Sequence, residues 1–178
     1  MPIPFEFNDI AAMVCGLFGT APPSARVLNT GDPAPDFELR DQHGDIHRLA
    51  DSRGHWTVLY FYPRDDTPAC TTEACAFRDG TETFRRMEVE LLGISTDSLE
   101  SHAAFVRKYN LPFPLLSDPD GATARAYGAY RNLGILRFAR RQTFLVDPTG
   151  RLARIYRRVD ARHHGAQVIS DLKDLREK

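Results

Sequence analysis

Residues 60–75 read YFYPRDDTPACTTEAC, and this stretch decides how the rest of the chain is arranged. The apolar run that precedes Pro63 is typical of a buried strand, which ends there because proline lacks a backbone donor and has a fixed φ. The letters TTE that follow Cys70 supply the hydroxyls and the early carboxylate of a helix start. The stretch therefore predicts a strand, a short polar loop and a helix, with Cys70 where the helix begins.

The predicted position of Cys70 has a chemical consequence. Unpaired backbone N–H groups and the positive end of the helix dipole favour an anion at a helix N-terminus. The anion that a cysteine supplies is a thiolate, which is its reactive form. Many free cysteines are simply small buried hydrophobic residues, but a place in a loop directly after Thr67 and Pro68 favours the reactive interpretation.

The composition is that of an ordinary globular domain: of 178 residues, 42% are hydrophobic and 26% charged, and the net charge is −1. The near-neutral balance gives no support for nucleic-acid binding. No apolar run approaches the roughly 20 residues that span a bilayer. Three cysteines are too few for a secreted disulfide scaffold, so we expect thiol chemistry in a reducing compartment, the cytoplasm.

The sequence predicts an N-terminal extension over residues 1–27 and the main domain over residues 28–178. The apolar segment 10–18 follows two acidic residues and no basic one, which makes it a poor match to a signal peptide. We expect this extension to pack as an arm or short helix on the domain or on a second subunit. Cys15 lies in it and is interpreted as an idle thiol.

The rest of the chain alternates between strand and helix signals. Strands are expected at 37–39, 46–49, 55–62, 89–95, 115–116, 143–147 and 152–158. Helices are expected at 71–87, 98–110, 122–127 and 165–176, with His102 on the outward face of the second. Residues 128–139 are expected to form a loop with an exposed apolar flank. The alternation predicts an α/β fold, a mixed sheet with helices on both faces.

The pattern Pro63-x-x-x-Thr67-x-x-Cys70 resembles the active-site signature of the peroxiredoxins. A second cysteine five positions later, Cys75, and Arg141 in the segment RQTFLVD are similar to the branch of the bacterioferritin comigratory proteins and PrxQ. The similarity covers the whole predicted domain in order. It implies a thioredoxin-like fold and thiol-dependent reduction of hydrogen peroxide and organic hydroperoxides, with no metal or organic cofactor.

The resemblance also implies a role for each matched residue. Cys70 is the peroxidatic nucleophile, and Cys75 resolves its sulfenic acid as an intrasubunit disulfide that thioredoxin or a similar dithiol reduces. Thr67 and Arg141 contact the peroxide and the thiolate, and Pro63 shields the site from water. The residues alone also allow purely structural roles. Thr67 could serve merely as a helix cap, Pro63 could merely end the strand, and Arg141 could be a solvated surface residue.

An intact helix would keep the two cysteines apart. Five residues separate their Cα atoms by about 8–9 Å and place them on different faces, given the helical rise and step, whereas a disulfide needs Cα atoms within about 7 Å. Unless Cys75 is a passive helix residue, residues 70–76 or more must unwind on oxidation, and Gly80 would help by weakening the helix. Glu73 is interpreted as a structural carboxylate in the first turn that can orient Arg141.

Other functions stay open at this point. A thioredoxin-type disulfide carrier would normally use Cys-x-x-Cys, which is absent around Cys70. A redox-sensing binding module, whose unwinding helix recruits a partner, would use the apolar flank at 133–138 and the extension. Six histidines raise the possibility of a Cys–His hydrolase, but none lies near Cys70 in the sequence, and zinc-ligand spacing is lacking. The resemblance favours a monomer or a weak homodimer.

Overall fold

The computed structural model describes residues 27–177. Within this range the strands are β1 (Glu38–Asp41), β2 (Ile46–Arg48), β3 (Trp56–Phe61), β4 (Val89–Ser95), β5 (Leu115–Ser117), β6 (Tyr130–Leu133), β7 (Leu136–Ala139), β8 (Gln142–Val146) and β9 (Leu152–Tyr156). The helices are α1 (Pro68–Arg86), α2 (Leu99–Tyr109), α3 (Ala122–Ala126) and α4 (His164–Arg176). Apart from Val27, the predicted extension, including Cys15, lies outside the described residues.

In the described range, seven strands form the main sheet in the order β2-β1-β5-β4-β3-β8-β9. Strand β3 is parallel to β4, which is parallel to β5, and the other pairs are antiparallel. Because parallel neighbours need a crossover connection, α1 and α2 each carry the chain from the end of one parallel strand to the start of the next. The prediction of a mixed sheet flanked by helices is confirmed.

Strand β3 lies inside the sheet and is covered on both faces. Val58 and Tyr60 pack in one core cluster with residues of α1, α2 and α4. Leu59 and Phe61 pack in a second cluster, on the face that α3 covers. Successive side chains of a strand point to opposite faces. A strand that contributes to a core cluster on each face therefore needs the continuous apolar run that the sequence shows.

Helix α1 begins at Pro68 rather than at residue 71, so the predicted start was wrong. Proline suits the first helical position, where its missing N–H would have no partner in any case. Thr67 is the N-cap residue, and its carbonyl accepts a hydrogen bond from the Thr71 N–H at 2.8 Å. Cys70 is therefore the third residue of the helix and lies within its first turn.

Helix α4 approaches α1 closely at two glycines. A Cβ atom added at Gly165 would lie 2.5 Å from the carbonyl oxygen of Ala76, and one added at Gly80 would lie 3.0 Å from Cδ1 of Ile169. From Ala76 onward, α1 is thus held against α4, whereas its first turns precede these contacts. Gly80, which was expected to weaken the helix, also makes room for the helix pair.

Residues 128–139 were predicted as a loop, but they contain the antiparallel hairpin of β6 and β7. The hairpin forms because Gly134 takes a positive φ of 78° at its tip, which L residues rarely adopt. The predicted apolar flank is exposed: Leu133 and Leu136 are each 58% accessible and Ile135 is 98% accessible. Among the described residues, no helix is both long and apolar enough to cross a bilayer.

Candidate active site

The sulfur of Cys70 lies at the junction of β3 and α1 and is almost completely covered. The residue is 2% exposed and belongs to the same core cluster as Tyr60 and Tyr62. The first N–H groups of a helix have no partner within it. Since Pro68 has no N–H, Ala69 and Cys70 supply the unpaired donors of this turn, and with the helix dipole they favour an anion there.

Arg141 brings a guanidinium to this sulfur. Strand β8 pairs antiparallel with β3 in a register that sets Gln142 opposite Phe61, so Arg141 arrives where β3 ends. Its NH2 group donates a hydrogen bond to Cys70 Sγ at 3.1 Å. The neighbouring Arg140 is exposed. The structure therefore places Arg141, and not Arg140, beside the cysteine.

Glu73 holds the other side of the guanidinium. Its Oε2 accepts a hydrogen bond from Arg141 NH1 within an ion pair, while Oε1 has no partner among the described groups. The side chain is fully buried, and this burial raises the pKa of Glu73 to about 7, although Arg141 acts in the opposite direction. Burial alone would lower the pKa of Arg141, but the nearby Glu73 and Cys70 have the larger, opposite effect, so the pKa of the guanidinium is raised above its usual value.

Replacement of Glu73 by glutamine should change the pH dependence of stability. A raised pKa means that the folded chain holds a proton at Glu73 more tightly than the unfolded chain does. The stabilisation is fully present below the ordinary value of 4.5 and is lost as the pH rises through about 7. As the pH rises from about 5 to about 8, the unfolding free energy of wild type should therefore fall relative to that of Glu73→Gln, by a few kcal/mol at most. Urea unfolding across this range measures the difference, and parallel pH curves for the two proteins would contradict it.

Thr67 and Pro63 lie on the loop that leads into α1, and both are partly buried. Thr67 makes no side-chain cap to the helix; instead its hydroxyl donates to the Arg64 carbonyl at 3.1 Å. The hydroxyl oxygen keeps its acceptor lone pairs for a further donor. Pro63 lines one side of a groove of about 390 Å³, which Leu136 and Phe138 of the hairpin also line.

Cys75 is not brought to Cys70. Both cysteines are free and both lie in the continuous helix α1, so the geometry of an intact helix keeps them apart, as expected. Cys70 is buried and Cys75 is partly exposed. In this conformation the two sulfurs have different surroundings, and a bond between them requires a rearrangement.

The sequence analysis missed Asp65, a buried carboxylate of the same loop. It accepts hydrogen bonds from the hydroxyls of Tyr62 and Ser101, each at 2.7 Å, and from His102 Nδ1 at 2.8 Å. His102 is fully buried, so its predicted outward orientation was wrong; the reason is that Asp65 gives the ring a buried partner. A lone histidine on the apolar face of α2 was the signal that could have indicated such a partner.

The described residues contain no group of three or more His, Cys, Asp and Glu side chains that could hold a metal ion. The histidine at the start of α4, His164, instead uses Nε2 in a buried 2.8 Å hydrogen bond with the Thr143 hydroxyl. Burial lowers the pKa of His164 to about 4. This histidine is thus a neutral core residue that joins α4 to β8.

Comparison with known proteins identifies relatives of this arrangement. Residues 30–155 match the model of the AhpC/TSA family. Peroxiredoxin Bcp of Bacillus subtilis (strain 168) is 43% identical over 155 residues, which cover 85% of this chain and 99% of that protein. The chloroplastic peroxiredoxin Q of Arabidopsis thaliana is 45% identical over 130 residues, which cover 72% of this chain and 59% of the plant protein.

Solved structures give the same result. Peroxidoxin BcpB from Mycobacterium tuberculosis superposes with a TM-score of 0.78 at 35% identity, covering 83% of this chain and 97% of that one. The bacterioferritin comigratory protein of Xanthomonas campestris superposes with a TM-score of 0.73 at 35% identity, covering 78% and 90% of the two chains. The family match and these relatives together establish that the chain belongs to the AhpC/TSA family, in the Bcp/PrxQ branch of the peroxiredoxins.

Proposed function

We propose that the protein reduces hydroperoxides with Cys70 as the peroxidatic nucleophile and Cys75 as the resolving residue. As a peroxiredoxin of the Bcp/PrxQ branch, the chain is a thiol peroxidase. The observation that supports Cys70 as the attacking residue is the 3.1 Å hydrogen bond from Arg141 to its sulfur at the start of α1. The Xanthomonas campestris relative, described for its alkyl peroxide reduction activity, supports organic hydroperoxides as substrates beside hydrogen peroxide.

In the first step, an electron pair of the Cys70 thiolate attacks the terminal oxygen of the hydroperoxide. The O–O bond breaks, its electrons leave on the other oxygen, and the sulfur keeps the hydroxyl group as a sulfenic acid. The leaving oxygen takes a proton and becomes water or an alcohol. Negative charge thus moves from sulfur to oxygen, and Arg141 and the first-turn N–H groups are the donors that would stabilise it as it develops. The Thr67 oxygen, whose proton is donated to the Arg64 carbonyl, can accept a hydrogen bond from the hydroperoxide.

In the second step, the Cys75 thiolate attacks the sulfur of the Cys70 sulfenic acid; the S–O bond breaks, the hydroxide that leaves takes a proton to become water, and a disulfide remains. The helix must open first, since an intact helix holds the Cα atoms about 8–9 Å apart. Helix α4 approaches the backbone of α1 closely at Ala76. The opening therefore involves residues 70–76 and ends where α4 holds α1.

Replacement of Cys75 by serine should leave the first step intact and block the second. After one equivalent of hydrogen peroxide, wild type should lose two hydrogen atoms, whereas Cys75→Ser should gain one oxygen atom, because the resolving thiol is absent and the sulfenic acid persists. Mass spectrometry of the intact protein distinguishes the two products. A disulfide between two chains in wild type would instead place the resolving thiol on another subunit.

Hydrogen exchange tests the opening itself. Amide protection in residues 70–76 should fall in oxidised wild type, while residues that follow Ala76 should keep theirs. Cys75→Ser, treated in the same way, serves as the control in which no disulfide forms. Equal protection of this segment in reduced and oxidised wild type would contradict the proposal.

The opened disulfide would be reduced by a dithiol protein such as thioredoxin, through thiol–disulfide exchange. The cytoplasm is the compartment that fits this cycle, because it supplies reducing dithiols. We propose a monomer or weak homodimer, since attack, resolution and reduction each use residues of one chain.

The exposed hairpin tip favours a second candidate function, a redox-sensing module. Leu133, Ile135 and Leu136 form an apolar surface on which a partner could dock when α1 opens. Stopped-flow measurements distinguish the two functions: a peroxidase consumes many equivalents of peroxide when a dithiol is supplied, whereas a sensor is oxidised once per activating event.

A further inference from the structure

The loop between β3 and α1 is held from one side by α2, through a carboxylate that the reaction itself does not use. Asp65 is 8% exposed, and each of its carboxylate oxygens accepts at least one hydrogen bond. Tyr62 donates to Oδ1, while Ser101 and His102 donate to Oδ2. Its backbone N–H donates in turn to Asp97 Oδ2 at 2.8 Å. Both the side chain and the backbone of Asp65 are therefore fixed.

His102 depends on this contact. Its ring is fully buried, and Nε2 has no partner among the described groups, so the hydrogen bonding of the ring rests on Nδ1, which lies 2.8 Å from Asp65. We assign the proton to Nδ1, because this tautomer lets the ring donate to the nearby Asp65 carboxyl oxygen. Loss of the carboxylate would leave the buried donors of His102 in α2 and of Tyr62, just after β3, without this acceptor, which costs more than the hydrogen bonds themselves contribute.

The next residue shows that the loop needs such an anchor. Asp66 has a φ of 54°, a left-handed conformation that non-glycine residues adopt uncommonly, aspartate less rarely than most, and that the contacts of the surrounding loop hold in place. Asp65 fixes the chain on one side of this residue. On the other side, Thr67 occupies the N-cap position of α1, whose third residue is Cys70.

We propose that Asp65 is a positioning residue for peroxide reduction, which sets the Thr67 hydroxyl and the first turn of α1 around Cys70 through its contacts with Tyr62, Ser101 and His102. This inference rests on the proposed function. Asp65 touches neither the sulfur nor the peroxide. It acts by fixing where the donors of the loop and the first turn lie, and a displacement of about 1 Å in such groups can lower a rate on the order of 100-fold.

Single-turnover oxidation of Cys70 by hydrogen peroxide tests this role. Asp65→Asn should lower the second-order rate constant about 10- to 100-fold, because an amide cannot accept from all three donors. Asp147→Ala is the matched control: that carboxylate also accepts three hydrogen bonds, from Thr149 and Arg151 and all at Oδ1, so alanine removes them, but Asp147 follows β8 at the end of the sheet where β3 begins. We expect its rate to stay within about 2-fold of wild type.

A pair of substitutions at His102 separates positioning from general stability. His102→Leu removes the donor and should lower the rate about as far as Asp65→Asn does, whereas His102→Asn keeps an N–H near the Nδ1 position and should restore it to within about 3-fold of wild type. Urea unfolding shows which variants fold. If Asp65→Asn does not fold, the rates of the two His102 variants test the positioning role.

Wild-type rates in both Asp65→Asn and His102→Leu would overturn the inference, as would equal losses in His102→Leu and His102→Asn. Failure of the proposed function has a different signature. In that case wild type itself would not be oxidised at Cys70, whatever residue occupies position 65.

Discussion

Serine in place of Cys70 is expected to abolish peroxide turnover, lowering it by at least about three orders of magnitude. A serine hydroxyl does not ionise near neutral pH and cannot carry an oxygen atom as a sulfenic acid, so neither step of the cycle remains. The measurement is peroxide consumption with a dithiol reductant in excess.

Cys75→Ser is the matched control for this substitution, because it removes a sulfur from the same helix five residues later. It should still consume one equivalent of peroxide per chain at an undiminished rate. Turnover by Cys70→Ser at the wild-type rate would mean that another group attacks the peroxide, and the assignment of Cys70 would be wrong.

Replacement of Arg141 should produce the second-largest effect. Arg141→Met removes the cation that touches Cys70 Sγ at 3.1 Å, and the rate constant for oxidation of Cys70 should fall about 100- to 1000-fold, as it does when one preorganised donor is lost from an active site. Arg141→Lys should recover only part of this loss, because an ammonium group lacks the planar fork with which arginine contacts Cys70 and Glu73 together.

Arg140→Met provides the control for Arg141, since Arg140 is the adjacent residue and is exposed. Stopped-flow oxidation at several peroxide concentrations compares the variants. A rate in Arg141→Met that matches the rate in Arg140→Met would contradict a role for the guanidinium in the reaction.

The sequence predicted the central strand and the position of Cys70 at the start of a helix because both depend on local signals. The apolar run that ends at Pro63 has only one arrangement in which it is covered on both faces, and the signature carries Thr67 and Cys70 at a fixed spacing. The contact between Arg141 and Cys70 joins residues far apart in the chain. It was predicted only through the resemblance to the peroxiredoxins, and the pairing of β8 with β3 explains how it forms.

The remaining errors have physical causes in tertiary structure. His102 was assigned to the outward face because it is polar, although its spacing places it on the apolar face of α2, where its ring contacts Asp65. The TTE letters resemble a helix cap, yet Thr67 and Pro68 begin the helix one turn earlier. The hairpin of β6 and β7 is a separate two-stranded sheet with strands too short for a clear alternating pattern. The predicted extension stays a prediction.

The glycine contacts between α1 and α4 have a consequence for anyone who engineers a heat-resistant variant. In the proposed cycle the helix opens before Ala76 each time a disulfide forms, so mutations that strengthen it there would slow regeneration of the enzyme. Beyond Ala76, the proposal leaves the helix packed against α4. Improvements in thermal tolerance are therefore best sought in the second half of α1, where added rigidity does not oppose turnover.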